Sequence, residues 1–491
     1  MLSPLSAANW NFTTAAHLLN RAGFGGPPGE IENLAALSPE GAVSQLVDYE
    51  KIDDPGHRDP EWAKPDPNRA QKLQELRQAT PDQRREMQKQ ERQQTNQHMM
   101  ELRQWWLKRM ATTARPFQEK MTLFWHGHFA TSVEKVREPY LMWRQNELFR
   151  RLATGNWTRM LLFAGKDPAM LIWLDQAQSR KEHPNENFAR EVMELFTLGE
   201  GHYTEHDVTE AARALTGWSY DRTDEVFIER PMFRDNGLKT IFGRTGDFTG
   251  DDFIEMIVAK PQAATFITAK LWNFFAGEPP SPELNAALAN VFRHSGNNFK
   301  PLMRAIFLSE EFYSPSIIRN QVKSPVQWLV SSVRMLETEL PPQPAGAVIV
   351  RSLGQDLFAP PNVKGWDGGI TWITTNSLLA RYNESAALVN GNPASLANMA
   401  QVKRPNQAVQ IENRLRGFHE AVDIRKILTE KERTDKEALV AALEKRLLQS
   451  RLKPKQEDVL RDFLDSKDQL EDGDIRNAIR LVMSTPEFQL T

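Results

Sequence analysis

Apolar residues recur three and four positions apart along most of the chain, and that period predicts a protein built almost entirely from helices. A helix over Asn11 to Arg21 runs into the turn Gly23-Phe24-Gly25-Gly26-Pro27-Pro28. Two short helices follow, the second opened by Ser38 as N-cap with Pro39 in the first position. Residues 52–68, rich in Pro and Asp, read as a loop. Helices resume from Pro116 to Gly217 and again from Asp251 to about Glu339. The Pro-rich stretch Leu340 to Pro344 breaks them, a loop-rich zone spans Leu357 to Thr375, and a polar break covers Asn390 to Gln407. Strand signal is confined to residues 224–250. There "EVFIE" and "KTIFG" flank Asp235-Asn236-Gly237, which predicts one β-hairpin inserted between helices. The expected fold class is all-α: a large multi-helix body over 1–390 with a small inserted β-hairpin. A C-terminal helical subdomain over 391–491 follows, in which Ala421 to Thr491 reads as three or four amphipathic helices.

Two segments depart from this pattern. Residues 69–115 hold nine Gln between Gln71 and Gln97, interleaved with charges, and Thr80-Pro81-Asp82-Gln83 is a capping box. Two long helices protruding from the body are expected, solvated on most faces or offering a polar face to a partner. Met99, Leu102, Trp106 and Met110 return the second of them to the core. A faint internal echo links "AIFLSEEFYS" at 305–314 with "LVMSTPEFQL" at 481–490, too sparse for a solenoid.

Composition narrows the chemistry mainly by exclusion. The 491 residues carry 61 Lys and Arg against 64 Asp and Glu, a formal net charge of −3. Such a balance argues against a nucleic-acid-coating protein. Cysteine is absent, which removes disulfides, thiolate metal sites and cysteine nucleophiles. No run of 18 apolar residues occurs, so no membrane span is expected. Residues 1–20 hold no Lys or Arg and too many polar residues for a signal-peptide core, so the chain as written shows no leader. Walker, HExxH, GxSxG and EF-hand motifs are all missing.

Four constellations are candidates for function. In Phe124-Trp125-His126-Gly127-His128-Phe129, one regular helix would place the two imidazoles about 200° apart. A helix ended by Gly127 would let them converge as a two-His metal site or an acid–base pair. The alternative is histidines that cap helix carbonyls and favour the helix dipole. In Asn185 to Gly199, Asn185 is an N-cap, Gly199 a stop, and Phe188, Val192, Leu195 and Phe196 form the apolar stripe. Here Glu186, Asn187, Arg190, Glu191 and Glu194 make either a ladder of surface ion pairs or an inward carboxylate pair held by a guanidinium, suited to oxygen ligation of a metal or to acid–base work. His202 and His206 have metal-pair spacing, but Thr204 and Asp207 form a capping box that leaves His202 outside the helix. The loop from Gly354 to Trp366, with Trp372 and Asn376, is a rigid aromatic element that lines a site or plugs a gap between helices.

Taken in order, "HLLNRAGFG" (17–25), "FWHGHF" (124–129), "DPAMLIWLD" (167–175), "PNENFAREVMELFTLG" (184–199), "YTEHDVTEAARALTGW" (203–218), "KSPVQWLV" (323–330) and "LGQDLFAPPNVKGW" (353–366) resemble the bacterial DUF1800 family over roughly residues 8–385. That family is of unknown function. The resemblance implies a mostly helical protein, often exported, and a sulfatase-like, DUF1501-type partner. Family members usually carry a His-Asp pair in the hairpin where this chain has Arg234-Asp235, which argues against a histidine ligand there. The 69–115 segment is longer than the family's usual connection. The expected site is a cleft where catalytic His126, His128, Glu186, Arg190 and Glu191 meet substrate-binding Asn185, Asn187, Gln355 and Trp366, with or without a divalent metal. Two functional classes follow: a hydrolase using His and carboxylate groups, or a non-catalytic binding or scaffold protein that serves the sulfatase-like partner or takes a saccharide through Trp side chains.

Overall fold

The computed structural model describes residues 2–56, 58–391 and 420–491. The architecture is predominantly helical, and among the described residues the only sheets are two small antiparallel strand pairs. No helix of the described residues is long and apolar enough to cross a membrane. Helix boundaries follow side-chain chemistry closely. Asn11 caps the helix Phe12–Ala22 by accepting from Thr13 N and Thr14 N, and Ser38 caps Pro39–Val47. Thr80 and Gln83 close a reciprocal box at the start of Pro81–Thr112, as do Thr204 and Asp207 at Glu205–Ala214.

The strand region differs from the expected single hairpin. Phe227–Glu229 (β2) pairs backward with Trp218–Tyr220 (β1), and Lys239–Ile241 (β3) pairs with Arg244–Gly246 (β4). The two expected strands therefore never meet. Pro231 lacks an N–H and starts a short 3₁₀ turn, Pro231–Phe233, which ends the first ribbon, and the Asp235 carboxylate accepts from Gly237 N to re-aim the chain.

Apolar burial divides into two cores. The first gathers the N-terminal helices with those between residues 148 and 317, around Trp125, Trp157, Phe188 and Phe275. The second joins Met99 to Ala111, Val326 to Phe358 and the helices after residue 422 around Trp106, Trp328 and Phe488. The C-terminal helices thus share a core with the body's own segments. The polar break expected from Asn390 lies, beyond Gly391, outside the described residues. The internal echo has a structural counterpart: the helices Phe299–Leu308 and Asp472–Met483 each lead into a 3₁₀ turn that buries a phenylalanine, Phe312 and Phe488.

The helix Pro116–His128 lies at the boundary of the two cores. It gives Phe117, Met121, Phe124 and Trp125 to the first and Leu123 to the second. At its start Glu119 is fully buried. Its carboxylate accepts from Arg109 Nε (2.6 Å), from Arg150 Nε (2.5 Å) and Nη2 (2.9 Å), and from Trp106 Nε1 (2.9 Å). Burial pushes this carboxyl up, but the two guanidinium groups outweigh it and hold it down at about 2. In the other direction, the helices Arg69–Gln78 and Pro81–Thr112 form the expected polar arm, with no buried residue before Met99.

Candidate functional site

The helix Pro116–His128 does not end at Gly127, and this decides the fate of the histidine pair. Phe129 N donates to Trp125 O, so the turn stays regular and the imidazoles leave on opposite sides. His126 enters the second core, edge-on to Trp106 and Phe358 and 5.7 Å from the Trp366 ring centre. Its Nε2 accepts from Phe358 N (2.9 Å), which places the ring proton on Nδ1. His128 enters the first core among Phe124, Trp125, Phe129, Trp157 and Phe196. Its Nε2 lies 3.1 Å from Phe196 O and so must be the donor there. The two rings are 1% and 6% exposed. The convergence proposed for Gly127 is therefore absent. A glycine near a helix end permits a stop, but the packing of Phe124, Trp125 and His128 on one face and Leu123 on the other keeps the helix wound.

Burial drives both imidazoles toward the neutral form, His126 to about 3 with Arg103 adding to the effect, and His128 well below its ordinary value. An unfolded imidazole titrates near 6.5. Below that pH the unfolded chain takes a proton on residue 126 that the folded chain refuses, so this group's contribution falls as pH falls, from about 6.5 down to about 3. His126→Gln keeps an acceptor for Phe358 N–H and removes the titration. Urea unfolding at pH 7 and pH 5 should then show a pH-dependent loss about 2 kcal/mol smaller than in the parent protein. An equal loss in the two proteins would contradict the burial assigned to this ring.

The segment after Asn185 departs from a plain α-helix. Glu186–Glu191 is α-helical, but Val192–Thr197 widens to a π-helix, and Gly199 closes it at φ +82°. Carbonyls at such an end have no intrahelical partner. Three side chains from two other helices supply them: Lys270 Nζ to Leu195 O (3.0 Å), His128 to Phe196 O and Gln262 Nε2 to Leu198 O (3.1 Å). His128 thus acts as a carbonyl cap, with its Nδ1 buried and unpartnered.

The polar face of this segment points mostly outward. Asn185 is the N-cap, accepting from Phe188 N and donating to Leu174 O (2.7 Å). Glu186 is exposed and accepts from Thr209 Oγ1 (2.9 Å), and Asn187 is exposed. Arg190 forms a solvated bidentate pair with Glu205 (2.7 and 2.6 Å), of the kind that adds little to stability. Glu191 is half-buried. Burial and the Glu194 charge raise its carboxyl, against the pull of Lys364 and Arg190. Glu194 accepts from the Tyr203 hydroxyl (2.6 Å). His202 and His206 are both exposed, and Thr204 and Asp207 cap the helix between them.

Gln355 is buried too, and its Oε1 accepts from Val326 N (3.0 Å) at the start of the helix Pro325–Met335, so it positions a helix. Trp366 reaches open space. With Trp372 and Asn376 it lines a cleft of about 310 Å³ whose other polar groups include Asp367, Thr371 and Thr374. The loop is seated by Gly365 at φ +86°, where a Cβ would strike the carbonyl oxygen of Gly127. Lys364, the neighbour of this glycine, carries the charge that faces Glu191. The structure therefore brings His126 and Trp366 together, sets Glu191 beside the same loop, and leaves His128, Gln355 and Asn185 elsewhere. Among the described residues no three His, Asp or Glu side chains are placed to hold one metal ion.

A second cleft, of about 600 Å³, was not visible in the sequence. It opens between the C-terminal turn of the arm's helix Arg69–Gln78, the loop after the helix Pro168–Trp173, and the β1–β2 ribbon. Its lining residues come from four separated segments, so no local motif announces it.

Comparison with family models decides the kinship. The model described as "Protein of unknown function (DUF1800)" matches residues 17–490, nearly the whole chain. The chain belongs to the DUF1800 family. The match extends past residue 385 through the C-terminal helices, in keeping with their place in the second core. No curated protein and no solved structure matched the chain. Family membership establishes no activity.

Proposed function

We propose that this DUF1800 protein is a non-catalytic binding protein whose ligand site is the Trp366–Trp372 cleft and whose ligand is a saccharide. The observation that carries the reading is the composition of that cleft: two indole rings, with Thr371, Thr374 and Asn376 as neutral hydrogen-bonding groups and Asp367 as the one charge. Sugars offer apolar C–H faces and a rim of hydroxyls, which such a surface complements. His126 supports the Trp366 ring from behind in its neutral form. The DUF1501-type sulfatase-like partner belongs to the same proposal, with the exposed arm over residues 69–98 as the surface it would use.

The hydrolase reading rests on one observation, the Glu191 carboxyl raised by its burial and by the neighbouring Glu194 charge. A calorimetric titration of the full chain with a panel of neutral oligosaccharides separates the two readings. Binding by the parent protein, weakened at least tenfold in Trp366→Ala and unchanged in Trp143→Ala, a partly buried indole outside the cleft, supports the binding reading. Absence of binding across the panel, or equal binding by Trp366→Ala, overturns it. Release of new reducing ends that is lost in Glu191→Gln replaces it with hydrolysis.

A further inference from the structure

The cleft of about 600 Å³ is lined by Arg77, Lys135, Arg180, Arg222 and Arg230, against only two carboxylates, Asp175 and Asp221. This is a local excess of positive charge in a chain of net charge −3. Lys135 and Asp175 neutralise one another at 2.7 Å. The Asp221 carboxylate accepts from Thr223 N (2.7 Å) and Asp224 N (3.0 Å) and offsets part of the Arg230 charge without pairing with it directly. Among the described residues, none of the four guanidinium groups forms an ion pair with a carboxylate. Like charges held around one hollow repel each other and disfavour the folded state unless an anion joins them.

The walls are built to stay in place. Lys181 N donates to Phe233 O (2.8 Å), Gly217 N to Ser179 O (3.3 Å) and Ser219 Oγ to Ala177 O (3.1 Å), joining the 175–183 loop to the β1–β2 ribbon. Arg69 Nε donates to Arg222 O (2.6 Å) while its guanidinium pairs with Glu138 and Glu225, which fixes the base of the arm to the same ribbon. The Arg180 guanidinium stacks on Phe233 at 5.5 Å, a contact that orients it without neutralising it. Tyr220 and Phe233 bring aromatic surface beside the charges, and Leu171, Ile172 and Ala177 form an apolar floor. The volume suits a small organic molecule.

We infer that this cleft binds an organic oxyanion, a phosphate or sulfate ester, with Arg180, Arg222 and Arg230 on the charged group and Tyr220 against the carbon framework that bears it. Guanidinium matches the oxygens of such esters in a bidentate fork. The site shares no lining residue with the Trp366–Trp372 cleft and stands or falls independently of the saccharide reading.

The test is isothermal titration of the full chain with phenyl phosphate and with phenyl sulfate, at constant ionic strength held with sodium chloride. Saturable binding of either probe is expected, at least tenfold weaker in the double variant Arg180→Gln/Arg230→Gln. Arg222→Gln, an exposed position on the turn, gives an independent loss should the double variant fold poorly. Arg293→Gln, outside the cleft, should bind as the parent does. Preference for one probe names the ester, and either preference sustains the proposal. No binding of either probe up to about 10 mM, or binding undiminished in both cleft variants, overturns it.

Discussion

Glu119→Gln should destabilise the protein by about 2–4 kcal/mol, because it removes the carboxylate that Arg109 and Arg150 share and leaves them only the more peripheral Asp54 and Glu147. Glu119 has no solvent exposure, and its two oxygens accept four hydrogen bonds from three side chains. Glutamine keeps the shape and can accept at only one oxygen, while its amide would direct donors at other donors. Chemical denaturation with Glu86→Gln as control provides the measurement. Glu86 lies on the exposed arm, 3.7 Å from Lys89, and its loss should change stability by less than about 0.5 kcal/mol. A cost below about 1 kcal/mol for Glu119→Gln would show that the network does not hold the two cores together.

Gly365→Ala should cost about 2–5 kcal/mol and disturb the Trp366–Trp372 cleft. Two effects combine: a left-handed φ of +86°, which an L side chain rarely adopts, and a Cβ driven against the carbonyl oxygen of Gly127. The obstacle is backbone, so it cannot swing aside as a flexible side chain would. Gly369→Ala isolates the first effect, since Gly369 has φ +59° and open space where its Cβ would lie; it should cost about 1–2 kcal/mol. Denaturation midpoints for the pair, with tryptophan fluorescence as a readout of the cleft, test the claim. Equal costs for the two variants would mean that the Gly127–Gly365 contact is not tight.

What could be read from the sequence was what is decided locally. Ser38, Thr80, Asn185 and Thr204 all cap the helices they were expected to cap, because a cap needs only its own side chain and the next three residues. The return of the arm to the core at Met99, Leu102, Trp106 and Met110 followed from periodicity alone. Strand pairing is not local. The partner of "EVFIE" is Trp218-Ser219-Tyr220, a three-residue stretch between the expected helices and the strand signal, too short to show a period of its own. The widened turn at Val192–Thr197 left no mark in residue types, since its carbonyls are satisfied by Lys270, His128 and Gln262 from other elements. The histidine pair depended on one alternative, whether the chain stops at Gly127, and only packing on both sides of that helix resolves it. The cationic cleft draws on positions from 77 to 233, and nothing short of the folded chain brings them together.

Arg21 has one further consequence. Its buried guanidinium donates to Phe275 O, Gln321 and Asn320, and also to Thr491 O, 470 positions away, while the adjacent Asn20 donates to Gln449. During synthesis on the ribosome the first helix emerges long before those partners exist. Until they arrive the guanidinium must remain hydrated, so the N-terminal helices cannot seal their final contacts before residues 449–491 are in place. Nascent chains halted before residue 449 should expose this helix to proteases or chaperones, and the two ends of the described chain close on one another as a late event of synthesis.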